Sequence, residues 1–320
     1  MIDFTFAIVS WNTRDLLKQC LRSIVTESAG FNTQILVADN GSDDGSADMV
    51  AAEFPHVTLV RHDRNMGFAA GHTSLFPLSR GAYHVLVNSD AELTPGCLTA
   101  MDERMRANER IGILGPQLLG PDGAIQPGCR RFPSLANQFL ESTGLGRIFP
   151  RSRVLNSYRM AGFDHRSSRS VDQVMGSFFL VRASLLSEIG YLDTRFFMYY
   201  EEVDYCLRAR RAGYEVFFES GARVRHEGGG SSQRVRVLTI RRKMRSMHYY
   251  FRKHRGPWVY APLVMICALD GVTHTAGAML TGNRPLETMR AYGYGLWDVL
   301  TLKPSWNKGT DAGIDAWNGT

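Results

Sequence analysis

The chain has 320 residues, 44% of them hydrophobic, and a formal net charge of +6. That apolar share supports a sizeable core and excludes a disordered chain. Five scattered cysteines (Cys20, Cys97, Cys129, Cys206 and Cys267) without CxxC spacing argue against a disulfide framework or a zinc site and fit a reducing compartment.

The first ten residues hold no basic stretch followed by an apolar one, so no signal peptide is expected. Residues 4–10, aromatic and β-branched, read as a buried strand. Leu16, Leu17, Cys20, Leu21, Ile24 and Val25 then recur at helical spacing, with Asn12 or Thr13 as the cap. A strand over 34–38 runs into the turn-forming loop 39–46, and a helix to about 54 and a strand over 57–61 follow. Asn65-Met66-Gly67-Phe68 opens a helix over 70–78. A strand over 83–87 ends in Asn88-Ser89-Asp90, Pro95 starts a helix, and 111–114 is a further strand.

Strands alternating with helices predict an α/β fold with a mostly parallel sheet flanked by helices. Ligands bind such sheets at the carboxyl ends of strands, where the three polar loops fall. The second half is less regular. It offers a strand over 177–181, a helix over 184–189, a helix from about 202 to 212, and two short strands at 216–218 and 222–225. Residues 1–232 are read as one domain and 233–320 as a helical tail.

Three constellations carry chemistry. Asn88-Ser89-Asp90 puts a carboxylate at a strand end, where it can hold a hard divalent cation beside a diphosphate; a plain turn is the commoner use of such a triplet. Glu201-Glu202-Val203-Asp204 crowds three carboxylates into four residues. On a helix Glu202 borders the Val203-Cys206-Leu207 stripe and Glu201 points nearly opposite, although acids also favour a first turn for its dipole. His226 follows a strand and precedes a glycine run, a place for a metal or phosphate contact or for a structural histidine.

These pieces together resemble family 2 glycosyltransferases of the rhamnosyltransferase-like branch. The matching stretches are Ile8 to Asn12, Val37 to Ser46, Asn65 to Gly71, Leu86 to Asp90, Gly176 to Arg182, Ile189 to Asp193, Phe196 to Asp204 and Ala222 to His226, in family order over roughly 4–232. The resemblance implies a GT-A (Rossmann-like) fold and a nucleotide-sugar donor, with dTDP-L-rhamnose favoured and a UDP-hexose as the alternative. Ser10, Trp11, Asn12, Asp39, Asn65, Gly67, Asn88 and Ser89 would line the donor pocket. Asp90 and His226 would hold Mg2+ or Mn2+, and Glu202 would be the base of an inverting displacement, with Asp204 as the second candidate. Two positions depart from the family: Asn88 stands where many relatives have Asp, and Glu202 where Asp is usual. A nucleotidyltransferase is the rival enzyme class, but residues 10–14 lack its glycine-rich phosphate loop. A binding protein that has lost catalysis is the rival outside enzymology.

Nine Lys or Arg and no acid fall between Arg234 and Arg255, so the basicity is local. Such a stretch could attract anionic lipid head groups. The apolar run 258–269 is shorter than the ~20 residues a span needs, and Asp270 and His274 follow it. The expectation is a cytoplasmic protein seated peripherally on the inner face of the membrane, where a glycan or lipid-diphosphate-linked acceptor presents itself. No nucleic-acid partner is expected, because no recognition motif accompanies the basic stretch.

Overall fold

The computed structural model describes residues 2–228 and 236–301. Residues 229–232 of the glycine run, Arg234 and the 232/233 boundary lie outside the described residues. The elements are β1 (Ile2–Ser10), α1 (Arg14–Glu27), β2 (Thr33–Asp39), α2 (Ser46–Glu53), β3 (Thr58–Arg61), α3 (Phe68–Leu75), β4 (Gly81–Asn88), β5 (Ala91–Leu93), α4 (Cys97–Ala107), β6 (Ile111–Leu119), β7 (Ile125–Gln126) and β8 (Cys129–Arg130). They continue with α5 (Leu135–Ser142), α6 (Leu145–Ile148), β9 (Arg169–Ser170), β10 (Gln173–Val174), β11 (Phe178–Arg182), α7 (Ala183–Ile189), α8 (Glu201–Arg211), β12 (Glu215–His226), α9 (Arg236–Arg255), α10 (Tyr260–Thr281) and α11 (Pro285–Thr301).

Two compact units emerge. One takes the described residues up to Phe132, Gly162–Arg195, and those from Glu201 to Gly228. The other takes Pro133–Ala161, Phe196–Tyr200 and the described residues from 236 onward.

The first unit is built on a sheet in the order β3-β2-β1-β4-β11-β6-β12-β5. Alternation along β1 explains its position. Phe4, Phe6 and Ile8 bury against Leu17, Leu21 and Ile24 of α1, while Ala7 faces Leu36, Ala38 and Leu75 on the other side. The sheet is mixed: β1, β2, β3 and β4 run parallel, but β11 lies antiparallel between β4 and β6. The two short strands expected at 216–218 and 222–225 are one strand, β12, with a register shift between Glu219 and Arg223. Glu219 holds that irregularity by accepting from the Gly221 amide at 2.9 Å, Ser168 Oγ at 2.6 Å and Arg104 Nε at 2.6 Å. Past the bulge, β12 pairs with the three-residue β5 that follows the Asn88-Ser89-Asp90 triplet. The helix expected to start at Pro95 starts at Cys97, because Gly96 turns left-handed with φ 79°.

The second unit centres on α9, which packs with α10 and α11. The segment Phe196–Tyr200 belongs to it. Tyr199 and Tyr200 take φ of 71° and 70°, a left-handed backbone that costs roughly 1–3 kcal/mol for each non-glycine residue. Ring contacts with α9 hold them there: Phe196 meets Tyr249 edge-on at 4.7 Å and Tyr200 meets Tyr250 at 5.5 Å. Ser246 Oγ also donates to the Met198 carbonyl at 2.9 Å.

The tail differs from expectation in two ways. Within the basic stretch Arg242, Arg245 and His248 are buried and Arg241 is paired with Asp298, while Lys243 and Arg255 stay exposed. The apolar run does not stop at Asp270. α10 continues to Thr281, and Asp270 pairs with His274 one turn on at 3.1 Å. The stretch Pro257–Thr281 is long and apolar enough to cross a membrane by length and composition, and 22% of its most apolar window is buried.

Candidate active site

Parallel pairing brings the first two polar loops together. Ser10 lies opposite Asp39 and Val9 opposite Asn88, so β2, β1 and β4 end side by side. A hydroxyl chain then ties the loops. Ser10 Oγ lies 3.0 Å from Thr13 Oγ1, and Thr13 donates onward to Ser89 Oγ at 2.8 Å. Thr13 precedes α1 as its cap by position but makes no capping bond; its hydroxyl serves this chain instead. Asn12 takes φ 54°, donates its amide to Ser42 Oγ at 3.0 Å, and accepts from the Asp43 amide at 2.9 Å. Trp11 beside it is half-buried.

Asp39 is buried. One carboxylate oxygen accepts from the Ser42 amide at 2.9 Å, while Oδ1 is sealed with no partner. A buried acceptor left unpaired costs about 1–3 kcal/mol. Asn65 Oδ1 accepts from the Gly67 amide at 2.9 Å, and Asn40 Nδ2 donates to the Gly67 carbonyl at 3.0 Å. Gly67 turns with φ 83° to start α3. Gly71, one turn on, lies so close to β1 that an added Cβ would sit 2.9 Å from Val9 Cγ1.

The β5–β12 ladder sets His226 opposite Ala91, which brings Asp90 and His226 together. Their side chains stand 3.5 Å apart, Nε2 to Oδ1. Gln126 on β7 orients the ring. Its amide nitrogen donates to the His226 carbonyl at 2.9 Å, so its oxygen faces His226 Nδ1 at 3.2 Å. That oxygen can only accept, so Nδ1 carries a proton and Nε2 is turned toward Asp90. Burial works against the charge on Asp90. The His226 contact and the Asp90 and Gly228 amides outweigh it and hold the carboxyl below its ordinary range. A carboxylate and an imidazole at this spacing, with the imidazole's far nitrogen engaged by a second-layer acceptor, suit two neighbouring ligands of one divalent cation. No cluster of three or more His, Cys, Asp or Glu is present among the described residues, so other donors must complete such a site.

α8 delivers the acidic quartet. The Asn88 amide donates to the Ser177 carbonyl at 2.9 Å, and a methyl on the adjacent Gly176 would touch Glu202 Cβ at 3.5 Å and the Phe68 ring at 3.8 Å. Glu202 therefore packs beside the strand-end loops. Asp204 is fully buried and pairs with Arg208 at 2.9 Å; Arg208 in turn donates to the Ile189 and Tyr191 carbonyls, both at 2.7 Å. That arrangement ties α8 to the loop after α7.

The family model for glycosyl transferase family 2 matches residues 5–190. The chain belongs to glycosyl transferase family 2. An N-acetylglucosaminyl-diphospho-decaprenol L-rhamnosyltransferase of Mycobacterium tuberculosis is 30% identical over 240 residues, 72% of this chain and 78% of that protein. A low-salt glycan biosynthesis hexosyltransferase of Haloferax volcanii is 26% identical over 219 residues, 67% of this chain and 64% of that protein. A mannosyltransferase from Pyrobaculum calidifontis, solved in complex with GDP-Man and Mn2+, matches with a TM-score of 0.55 at 14% identity over 94% of this chain and 87% of that one, a likeness of fold. The α/β architecture is thus the GT-A type. The nucleotidyltransferase alternative falls with that assignment.

Gln126, which orients His226, escapes sequence reading because it sits in a two-residue strand without pattern. Thr13 carries a visible signal, but as a helix cap. Asp204→Asn should leave Arg208 without its charge partner and cost about 3 kcal/mol of stability, read as a lowered denaturation midpoint, whereas Glu202→Gln should melt near wild type. Equal melting of both variants would remove the structural role of Asp204.

Proposed function

We propose that this family 2 glycosyltransferase is a metal-dependent inverting enzyme that moves L-rhamnose from dTDP-rhamnose to a hydroxyl of a lipid-diphosphate-linked glycan, with a UDP-hexose as the alternative donor. The observation that carries the metal reading is the Asp90–His226 pair, 3.5 Å apart and oriented by Gln126. The donor and acceptor classes come from the relative whose name prints a rhamnosyl transfer and a diphospho-decaprenol acceptor.

Asp39 would accept a hydrogen bond from the nucleoside through its unpaired Oδ1, with Ser10, Trp11, Asn65 and Gly67 shaping the same pocket. Asn12 and Ser89 act mainly as braces, one between the first two polar loops and one in the hydroxyl chain. Asp90 and His226 would hold Mg2+ or Mn2+, and Asn88 would be a polar neighbour of the diphosphate. The cation, when bound, neutralises charge on the departing nucleoside diphosphate.

Glu202 takes the proton from the acceptor hydroxyl. The freed oxygen attacks the anomeric carbon, the bond to the nucleoside diphosphate breaks, and the configuration inverts. Glutamate has an unperturbed pKa of ~4.3 against ~3.9 for aspartate, so the family departure at this position keeps an ionised base. Glu202→Gln should lower transfer by about 10²–10⁴-fold with nucleotide affinity retained. Turnover near wild type in a folded Gln variant would move the base elsewhere.

We also propose a cytoplasmic enzyme seated on the inner membrane face, carried by α10 and α11 rather than by the basic helix. α10 buries Leu263, Ile266 and Cys267 while Met265, Val272, Met279 and Leu280 stay exposed, and Trp297 on α11 is exposed too. Asp270 and its partner His274 sit midway along that helix, and the cost of a charge at mid-bilayer favours a seat at the surface over a span. Leu280→Glu combined with Trp297→Glu should cut co-sedimentation with phosphatidylglycerol vesicles severalfold, and alkaline carbonate should strip the wild type from membranes. Undiminished sedimentation or carbonate resistance would contradict the surface seat.

A further inference from the structure

Within the second unit, the stretch from Ser142 to Ala161 carries four arginines and no acid. Two of them are answered there. Arg159 pairs with Glu141 at 2.7 Å, and Arg147 of α6 donates to His274 Nε2 on α10 at 2.5 Å. A guanidinium can only donate, so His274 keeps its proton on Nδ1 and turns it toward Asp270. Beside His274, Thr273 Oγ1 donates to the Ser142 carbonyl at 2.8 Å. α5 and α6 are thus moored to the middle of α10, and α5 packs along it.

Beyond α6 a side-chain amide clips the chain into a loop. Asn156 is buried, and its Nδ2 donates to the Phe149 carbonyl at 3.0 Å and the Gly146 carbonyl at 3.2 Å. The loop turns apolar side chains outward: Ile148 is 68% exposed, Phe149 56% and Val154 71%, and Arg151 and Arg153 are exposed between them. Neither of these two arginines makes an ion pair among the described residues.

Apolar side chains exposed together gain by leaving water, and unanswered cations among them select a surface that carries negative charge. A bilayer with anionic head groups supplies both. The apolar side chains enter the head-group boundary while each guanidinium stays level with the phosphates, which its planar fork meets two oxygens at a time. α5 and α6 also flank α10, whose exposed Met265, Val272 and Met279 recur on one side of the helix.

We propose that the α5–α6 segment is the basic edge of the membrane seat. Ile148, Phe149 and Val154 insert at the boundary of an anionic bilayer, and Arg151 and Arg153 bind its lipid phosphates. This rests on the reading of the chain as seated on a membrane surface.

Partitioning of the full chain onto phosphatidylcholine vesicles, with and without phosphatidylglycerol, is measured at low and high salt. The wild type is expected to prefer the anionic vesicles. Arg151→Gln combined with Arg153→Gln should weaken binding to them roughly 25-fold at low salt, about fivefold for each charge near the surface. The same pair should bind pure phosphatidylcholine as the wild type does, and its deficit should shrink at high salt. Arg151→Lys combined with Arg153→Lys should keep the anionic preference. A Gln pair that retains the full preference, or a wild type that binds both vesicle types equally, would overturn the proposal. Ile148→Ser combined with Phe149→Ser should weaken binding to both vesicle types, and unchanged binding would overturn it too.

Two other occupants give different results, and either would overturn the proposal. Loss of a dimer in the Gln pair, read by light scattering, would assign the surface to a second copy of the chain. A raised KM for a short soluble diphospho acceptor, with vesicle binding intact, would assign the arginines to the acceptor. A wild type that binds neither vesicle type sinks the membrane seat as a whole. Detachment of the Leu280→Glu, Trp297→Glu variant while the Gln pair binds like the wild type sinks the α5–α6 assignment alone.

Discussion

A short backbone ladder, β5 against the end of β12, holds Asp90 beside His226, and the chemistry of the site depends on that seam. β12 pairs with β6 on both sides of the Glu219 bulge, and past the bulge its other edge takes β5. Glu219 is held there by Arg104, Ser168 and its own local amide. The carboxylate end of the site comes from the opposite direction, off the end of parallel strand β4, whose neighbours β1 and β2 bring Ser10 and Asp39 alongside. A parallel half and an antiparallel half thus meet here, and each supplies one member of the proposed metal pair.

What the sequence discloses follows what burial writes into it. β1, β2 and β4 are buried runs of aromatic and branched residues, so their positions are visible, and so are the polar loops at their ends. Strand direction leaves no such trace: β11 reads as an apolar run whichever way it points, and its antiparallel placement comes from tertiary pairing. β5 and β7 are too short for a periodic signal, so the register that unites Asp90, Gln126 and His226 could not be read. The pair Ser220-Gly221 looks like a turn between two strands, but Glu219 bridges it as a bulge. Glu202 and Asp204 are alike in sequence and differ only in what faces them, a loop beside Gly176 in one case and Arg208 in the other.

Charge was the least readable property of the second unit. A basic run ordinarily lies on a solvated face, yet α9 buries Arg242 and Arg245 and pairs Arg241 with Asp298, leaving Lys243 and Arg255 exposed. The apolar face that the tail presents outward belongs to α10 and α11 instead. Asp270 does not end α10, and its carboxylate meets the His274 ring one turn away at 3.1 Å. The same unit stores backbone strain at Tyr199 and Tyr200, immediately ahead of the helix that carries Glu202.

The account turns on one cation shared by Asp90 and His226, and pulsed electron paramagnetic resonance of bound Mn2+ tests it most directly. With a nucleoside diphosphate present, the wild-type spectrum should show nitrogen modulation from a directly bound imidazole. His226→Ala should abolish the modulation while the nucleotide still binds. Mn2+ bound with no nitrogen modulation in the wild type, or modulation that survives His226→Ala, would contradict the site.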